Sequence, residues 1–234
     1  MSTYVLIHGA GSDSFYWHWV APLLEARGHD VVAPDLPSED ESAGLDEYTN
    51  VVIDAIGDRA ERADVIVVGQ SLGGFTAPLV AARVPVELIV MVAAMMPAPG
   101  ESPGDWWANT GWAEARRVDA ERLGVPADAP FDAERDFFND VPDDVIAEVF
   151  SRGEMKQAGK PFEKSWPLTA WPDVPTRFLL CRGDRFFPAE FQRRVVKDRL
   201  GIVPDEIDGG HLPAFGRPAE LVERLEAYRT SLAV

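Results

Sequence analysis

A serine between glycines is the residue of this sequence best placed for covalent chemistry. Residues 65–68 (VIVV) form an apolar run typical of a buried strand, and GQSLG at residues 69–73 follows directly. The residues after Gly73 are compatible with a helix, so the motif lies on a strand-to-helix turn. On such a turn the serine hydroxyl projects from the sheet, and the glycines remove Cβ atoms that would collide there. The motif predicts acyl transfer through Ser71.

A serine hydroxyl is a weak nucleophile until a neighbouring base takes its proton. His211 follows the last predicted strand and precedes the last helix, at the sheet edge where Ser71 also falls, so we predict that it is the base. The other histidines have simpler interpretations. His8 holds the loop after the first strand, His18 packs at a Trp-rich helix start, and His29 lies in a surface turn.

The third member of a triad is a carboxylate that orients the imidazole. Asp184 directly follows a predicted strand, so its carboxylate emerges on the turn at the end of that strand. Asp208 is only three residues before the histidine and is expected to serve its loop. Glu101 and Asp105, after the fourth strand, are the alternative acids.

Acyl transfer also needs hydrogen-bond donors for the developing oxyanion. The amide of Leu72 at the start of its helix is one predicted donor, and the amide of Ala10 in the loop after the first strand is the other. The predicted substrate-binding residues come from this sheet edge and from an aromatic-rich segment: Gly9, Gly11, Trp106, Trp107 and Leu212.

Short β-rich apolar runs alternate with longer helical patterns. The predicted strands are residues 4–7, 30–33, 65–68, 87–93, 176–181 and 202–207. The predicted helices are residues 17–27, 46–62, 71–83, 189–200 and 218–231. The pattern predicts an α/β fold, a mostly parallel sheet of about six strands flanked by helices. In such a sheet, ligands bind at the carboxyl ends of the strands.

One stretch interrupts this alternation. Residues 98–172 contain no convincing strand, and tryptophan and phenylalanine accumulate there among helix-compatible residues. We interpret it as an inserted helical cap with an apolar wall, on a core formed by residues 1–97 and 173–234. The exposed aromatics of a cap can also form a dimer surface, so both a monomer and a homodimer are open.

The composition excludes several classes of partner. Of 234 residues 46% are hydrophobic, as in a globular protein, and a formal charge of -17 disfavours nucleic acid and anionic membranes. The single cysteine, Cys181, forms no intramolecular disulfide, and no apolar run reaches the roughly 18 residues of a membrane span. With no basic segment before the first apolar run, we expect a cytoplasmic protein. Its scattered histidines predict no metal site, and the triad chemistry requires no cofactor.

The chain resembles the α/β-hydrolases along its whole length apart from the cap, where the likeness is one of general pattern. It is most similar to the branch of plant methylesterases and hydroxynitrile lyases. The opening HGAG at residues 8–11, PLLE at residues 22–25, DLP at residues 35–37, the FPAEFQ run at residues 187–192 and GGH at residues 209–211 carry this resemblance. It implies an α/β-hydrolase fold and the triad Ser71, Asp184 and His211.

Three positions separate the two chemistries of that branch. The lyases carry threonine where Gly9 stands, cysteine where Leu72 stands and lysine where Leu212 stands, and these groups serve the cyanide leaving group. Their absence disfavours cyanohydrin cleavage and is similar to the esterase pattern. We therefore expect hydrolysis of a carboxylic ester of a small, neutral, apolar or aromatic substrate. A thioesterase or lactonase with the same triad remains open, as does a hydrolase-like receptor that binds a small molecule without turnover.

Overall fold

A computed structural model describes residues 1–62, 64–126 and 129–232 of the chain. In this part, six strands form one sheet: β1 (Thr3–Ile7), β2 (Asp30–Val32), β3 (Val65–Gln70), β4 (Leu88–Val92), β5 (Thr176–Cys181) and β6 (Asp205–Ile207). The described helices are α1 (Ala21–Glu25), α2 (Leu45–Ile56), α3 (Gly73–Ala81), α4 (Pro103–Thr110), α5 (Trp112–Leu123), α6 (Ala133–Asp136), α7 (Asp143–Ser151), α8 (Ala189–Leu200), α9 (Pro213–Gly216) and α10 (Pro218–Ser231). Short 3-10 helices lie at Ser14–Trp17, Gly57–Arg62 and Lys160–Phe162.

The strands are all parallel and lie in the order β2-β1-β3-β4-β5-β6. Every residue of β1, β3 and β4 is buried, because helices cover both faces of the sheet and leave no solvated side. The predicted α/β fold is therefore confirmed. Parallel pairing places the carboxyl ends of β1, β3, β5 and β6 at one edge of the sheet, and the loops that follow these strands meet there.

The two faces of the sheet carry separate apolar cores. Side chains of β1 alternate between them, as the period of two in a strand requires. Val5 and Ile7 pack with α2, α3 and α8, whereas Tyr4 and Leu6 pack with α1 and α10. The two layers of helices hold the sheet between them, so the loops at its carboxyl edge rest on a rigid support.

Two of the predicted helices are interrupted in the structure. The prediction of one helix at residues 17–27 is wrong: the 3-10 helix Ser14–Trp17 ends first, and α1 begins only next to Pro22. Proline fixes its backbone φ and lacks an N–H, which suits the first turn of a helix but not its interior. The predicted helix at residues 46–62 is interrupted at Gly57, whose φ of 54° ends α2.

Helices α4 to α7 occupy the stretch between β4 and β5, and the described residues there contain no strand. Three side chains fasten this stretch to α3 and to the loop after β5. The indole of Trp166 donates to the carbonyl of Phe75 in α3 at 3.2 Å, and Asn139 donates to the carbonyl of Gly183 at 3.1 Å. The indole of Trp112 donates to the carbonyl of Phe186 at 2.7 Å. In the described part of the chain, no helix has the length and apolar character to cross a membrane.

Candidate active site

Ser71 lies on the turn between β3 and α3 with a φ of 50°, in the left-handed region that residues other than glycine seldom adopt. For this reason α3 begins at Gly73, two residues later than predicted. The flanking glycines are a steric requirement. A Cβ on Gly69 would lie 2.7 Å from the carbonyl oxygen of Gly73, and a Cβ on Gly73 would lie 2.9 Å from that of Ile7. The strained turn holds the Ser71 hydroxyl above the sheet edge.

His211 lies between β6 and α9 and is almost wholly buried. Its Nε2 is 3.1 Å from Oγ of Ser71, within hydrogen-bond reach for a proton transfer. Gln70, the residue before the serine, donates its side-chain amide to the carbonyl of His211 at 3.1 Å. The nucleophile turn and the histidine loop are thus tied together by a second, independent contact.

Asp184 follows β5, and its Oδ2 lies 2.9 Å from Nδ1 of His211. Its Oδ1 accepts the amides of Phe186 and Phe187 at 2.9 and 2.8 Å, and Gln192 donates to Oδ2 at 3.3 Å. Buried carboxylates keep a fixed orientation when donors saturate both oxygens. This carboxylate therefore holds the imidazole in the tautomer that presents Nε2 to the serine.

Gln192 is a site residue that the predictions missed. It lies in the first turn of α8, and its amide nitrogen also donates to the carbonyl of Phe187 at 2.6 Å. A buried amide on a helix face that otherwise carries Phe191, Val195 and Val196 is the signal that could have identified it. Such a group persists in a core only where it finds hydrogen-bond partners.

The other carboxylates considered from the sequence have different partners. Glu101 is buried and accepts Arg199 and Asn109, and Asp105 accepts the hydroxyl of Ser102. Asp208 forms an ion pair with Arg182 at 2.8 Å. Their hydrogen bonds within the described residues do not reach His211.

The remaining histidines hold local structure. Nε2 of His8 accepts the amide of Leu36 at 3.1 Å, while Nδ1 lies 2.9 Å from the carbonyl of Gly9. Burial lowers the pKa of His8, so its ring stays neutral. His29 accepts the amide of Ser2, and His18 stacks on Phe15.

The amides of Ala10 and Leu72 flank the serine. Within the described residues neither has an acceptor, whereas the amide of Gly11 donates to Gln157 at 3.0 Å and that of Ser71 to the carbonyl of Val92. Leu72 stands at the start of α3, where backbone donors lack partners inside the helix. These two amides can therefore donate to an oxygen that develops charge beside Ser71.

A cavity of about 220 Å³ lies over the serine and histidine. Six of the residues named from the sequence line it together with Ser71 and His211: Gly9, Ala10, Gly11, Leu72, Trp107 and Leu212. Further aromatic lining comes from the 3-10 helix after β1, from α9, from the loop after β5 and from the stretch between β4 and β5: Phe15, Tyr16, Phe215, Phe186, Phe137, Phe138 and Phe162. The cavity is thus largely apolar beside a polar reactive centre, as in most small-molecule sites.

The structure corrects the expectation for Trp106. This side chain is 1% exposed, donates its indole N–H to the carbonyl of Met96 at 2.9 Å and packs on Phe187 and Phe191. It supports the wall of the cavity from within the core and does not line it. Its neighbour Trp107 lies in the lining.

Comparison with known proteins identifies the architecture. The sequence model of the Alpha/beta hydrolase family matches residues 4–224, nearly the whole chain. The chain belongs to the alpha/beta hydrolase family. A related curated sequence is the probable esterase PIR7A of Oryza sativa subsp. indica, 26% identical over 95% of this chain and 94% of its own length.

Solved alpha/beta hydrolases share this fold. Polyneuridine aldehyde esterase is 20% identical and superposes with a TM-score of 0.75 over 97% of this chain and 99% of its own. A pyrethroid hydrolase of Sphingobium faniae is 23% identical, with a TM-score of 0.72 over 99% and 98% of the two chains. At such identities the likeness establishes the fold alone.

In this alpha/beta hydrolase, aromatic rings enclose the histidine. Phe137 stacks on the imidazole of His211 with ring centroids 5.0 Å apart, and Phe186 and Phe187 approach it edge-on at 5.2 and 5.0 Å. Phe137 belongs to the stretch between β4 and β5, so that stretch touches the triad directly. The rings limit the access of water to the imidazole and fix its plane.

Proposed function

We propose that this protein is a serine hydrolase that cleaves carboxylic esters of small, neutral, apolar or aromatic substrates. The observation that carries the proposal is the chain of contacts from Asp184 through His211 to Ser71, opening into an aromatic cavity. A buried carboxylate, an imidazole and a serine hydroxyl in this order activate the serine for acyl transfer.

In the first step, Nε2 of His211 takes the proton of the Ser71 hydroxyl as Oγ attacks the ester carbonyl. The carbonyl oxygen gains negative charge and accepts the amides of Ala10 and Leu72. Asp184 stabilises the imidazolium that forms. His211 then passes its proton to the leaving alcohol, and the acyl group stays on Ser71.

In the second step, His211 takes a proton from a water molecule, whose oxygen attacks the acyl carbonyl. The same two amides stabilise the second oxyanion. Collapse of this intermediate returns the proton to Ser71 and releases the carboxylic acid. The stacked ring of Phe137 keeps the imidazole in one plane through both steps.

The names of the relatives agree with ester hydrolysis. The rice relative is named a probable esterase, a second relative is named polyneuridine aldehyde esterase, and the Sphingobium relative is named a pyrethroid hydrolase. The aromatic lining and the cavity volume of about 220 Å³ support a small apolar or aromatic ester as the substrate of this chain.

The residues at the positions that distinguish the lyases disfavour hydroxynitrile lyase activity in this chain. A Cβ on Gly9 would lie 2.5 Å from Oε1 of Gln70 and 2.8 Å from Cβ of Ser71, so the threonine of the lyases would force the nucleophile turn of this chain to shift. Leu212 lines the cavity where the lyases place a lysine, which leaves no ammonium group for a cyanide leaving group.

We propose that residues 98–172 act as a cap over a core of residues 1–97 and 173–234. Trp107, Phe137, Phe138 and Val149 of this stretch line the cavity, opposite loops of the core. Substrate size and shape would then be set largely by the cap, while the core supplies the triad.

The test is rapid-mixing hydrolysis of p-nitrophenyl butanoate, beside S-phenyl thiobutanoate and γ-butyrolactone. We expect a burst of p-nitrophenol equal to the enzyme concentration, absent in Ser71→Ala. The matched control is Ser42→Ala, whose exposed hydroxyl bonds only to Asp40 among the described residues. Full turnover by Ser71→Ala would refute the nucleophile, and a strong preference for the thioester or the lactone would refute the ester class.

A further inference from the structure

An ion pair stands inside the lining of the catalytic cavity. Nη2 of Arg152, at the end of α7, lies 2.7 Å from Oδ2 of Asp13 in the loop after β1. Among the described residues of the lining, these two are the sole representatives of Asp, Glu, Lys and Arg. Apart from the triad, the one acidic and the one basic side chain of the described cavity lining are therefore paired with each other.

Each partner is held by a further contact. Oδ1 of Asp13 accepts the amide of Phe15 at 3.0 Å and caps the 3-10 helix that follows. The guanidinium of Arg152 lies over the ring of Phe15, 4.0 Å from its centroid. The side chains are 43% exposed for Arg152 and 22% exposed for Asp13, so the more buried partner is the acid. The positive charge of Arg152 at the cavity wall is thus already paired with the carboxylate of Asp13.

We propose that Asp13, by forming the ion pair with Arg152, makes the site select neutral over anionic substrates. This inference rests on the proposed function. With Asp13 in place, a substrate carboxylate must displace a bound carboxylate before it reaches the guanidinium, so neutral substrates are favoured. Without that charge, Arg152 becomes an anchor for a substrate carboxylate, because guanidinium groups pair with carboxylates in bidentate fashion.

Another acid lies close enough to serve as a control. The hydrogen bond from Ser14, together with the positive charge of Arg152, lowers the pKa of Asp35. Asp35 is absent from the lining and is anchored by the amide of Ser14 at 2.7 Å. Asp35→Asn therefore removes a negative charge near Arg152 without removing the ion pair.

The first measurement is binding, which requires no turnover. Isothermal titration would compare benzoate, phenylacetate and 4-phenylbutanoate, each with its amide, on the wild type, Asp13→Asn, Arg152→Gln and Asp35→Asn. Asparagine retains the oxygen that caps Phe15, so Asp13→Asn changes the charge and keeps the helix start. We expect the affinity ratio of acid to amide to rise about tenfold in Asp13→Asn for at least one chain length.

In the double variant Asp13→Asn/Arg152→Gln this gain should disappear, and Asp35→Asn should show a gain of less than about twofold. An unchanged ratio in Asp13→Asn at all three chain lengths would overturn the inference. An equal gain in Asp35→Asn would also overturn it, since the gain would then come from the loss of any nearby negative charge and not from the release of Arg152.

A second measurement follows turnover of p-nitrophenyl butanoate and of the p-nitrophenyl monoester of glutarate. We expect Asp13→Asn to shift kcat/KM toward the glutarate monoester by about the factor seen in binding. If the wild type hydrolyses neither ester, the proposed function fails, while the binding ratios still decide the role of Asp13. If both esters turn over at unshifted ratios, the inference fails and the proposed function stands.

Discussion

Oδ2 of Asp184 lies 2.9 Å from Nδ1 of His211, although 27 residues separate them in the sequence. The acid follows β5 and the histidine follows β6, and these strands are neighbours in the sheet. Their loops therefore lie side by side, with His211 in the lining of the cavity, Asp184 behind it and both side chains almost wholly buried. The sheet topology itself creates the contact.

Replacement of the acid should separate catalysis from folding. In Asp184→Asn the remaining side-chain oxygen can still accept the amides of Phe186 and Phe187, so the loop should persist. Loss of the negative charge should lower kcat by a factor on the order of 10³ to 10⁴. Steady-state ester kinetics with a thermal melt would check this. Asp208→Asn is the control, and an equal loss there would contradict the assignment.

A side chain at position 9 should disturb the nucleophile. The Cβ of Gly9→Ala would lie 2.5 Å from Oε1 of Gln70 and 2.8 Å from Cβ of Ser71, so the loop after β1 or the nucleophile turn must shift. A displacement of about 1 Å can reduce kcat by about 10²-fold. Gly159→Ala is the matched control, because a Cβ there meets no described atom within 4 Å. Wild-type kcat in Gly9→Ala would show that the turn has room to relax.

Replacement of each of the two adjacent tryptophans of α4 should affect stability and substrate binding differently. Trp106→Ala removes a fully buried ring and should destabilise the fold by about 3–5 kcal/mol. Trp107→Ala removes a wall of the cavity and should raise KM for aromatic esters, with a smaller loss of stability. Chemical denaturation and ester kinetics on both variants would test the division, and a reversed pattern would show that the lining is wrongly assigned.

The dependence of the free energy of unfolding on pH in the acid range should reflect Glu226. Burial pushes the pKa of this carboxyl upward, but hydrogen bonds from Arg229 and Tyr4 and the positive charge of Arg229 outweigh it and bring the pKa to about 2. Because the folded pKa lies below the ordinary value of 4.5, the stabilisation is present above pH 4.5 and is lost as the pH falls toward 2.

After allowance for solvent screening, Glu226→Gln should lower the free energy of unfolding at pH 7 by on the order of 1 kcal/mol. The difference from the wild type should shrink as the pH falls below 4.5. Urea unfolding at several pH values would measure it. The control is Glu223→Gln, which replaces an exposed acid paired with Arg27. If the difference in the free energy of unfolding between Glu226→Gln and the wild type does not change with pH, Glu226 does not have this role.

The catalytic turn could be predicted from the sequence because its requirements are local. A β-branched run, two glycines around Ser71 and a helix-compatible run specify a strand, a turn and a helix without knowledge of the rest of the chain. The helix at Pro218–Ser231 was likewise predicted with its observed bounds, since proline marks its first turn and an apolar face follows.

Contacts between the stretch from β4 to β5 and the rest of the chain were beyond prediction. Arg152 meets Asp13 across 139 residues, and neither the charges nor the spacing distinguish this pair from many others in the chain. Trp106 and Trp107 are adjacent, and neighbouring helical residues point about 100° apart, so only one could face the cavity. Which one does so depends on how α4 packs against Phe187 and Phe191, a tertiary fact.

The proposed function requires an activated Ser71, and intact-mass analysis after treatment with a fluorophosphonate measures that activation. We expect one covalent adduct on the wild type and none on Ser71→Ala, with Ser42→Ala labelled like the wild type. A folded wild type that gains no adduct, or an adduct that persists in Ser71→Ala, would contradict it.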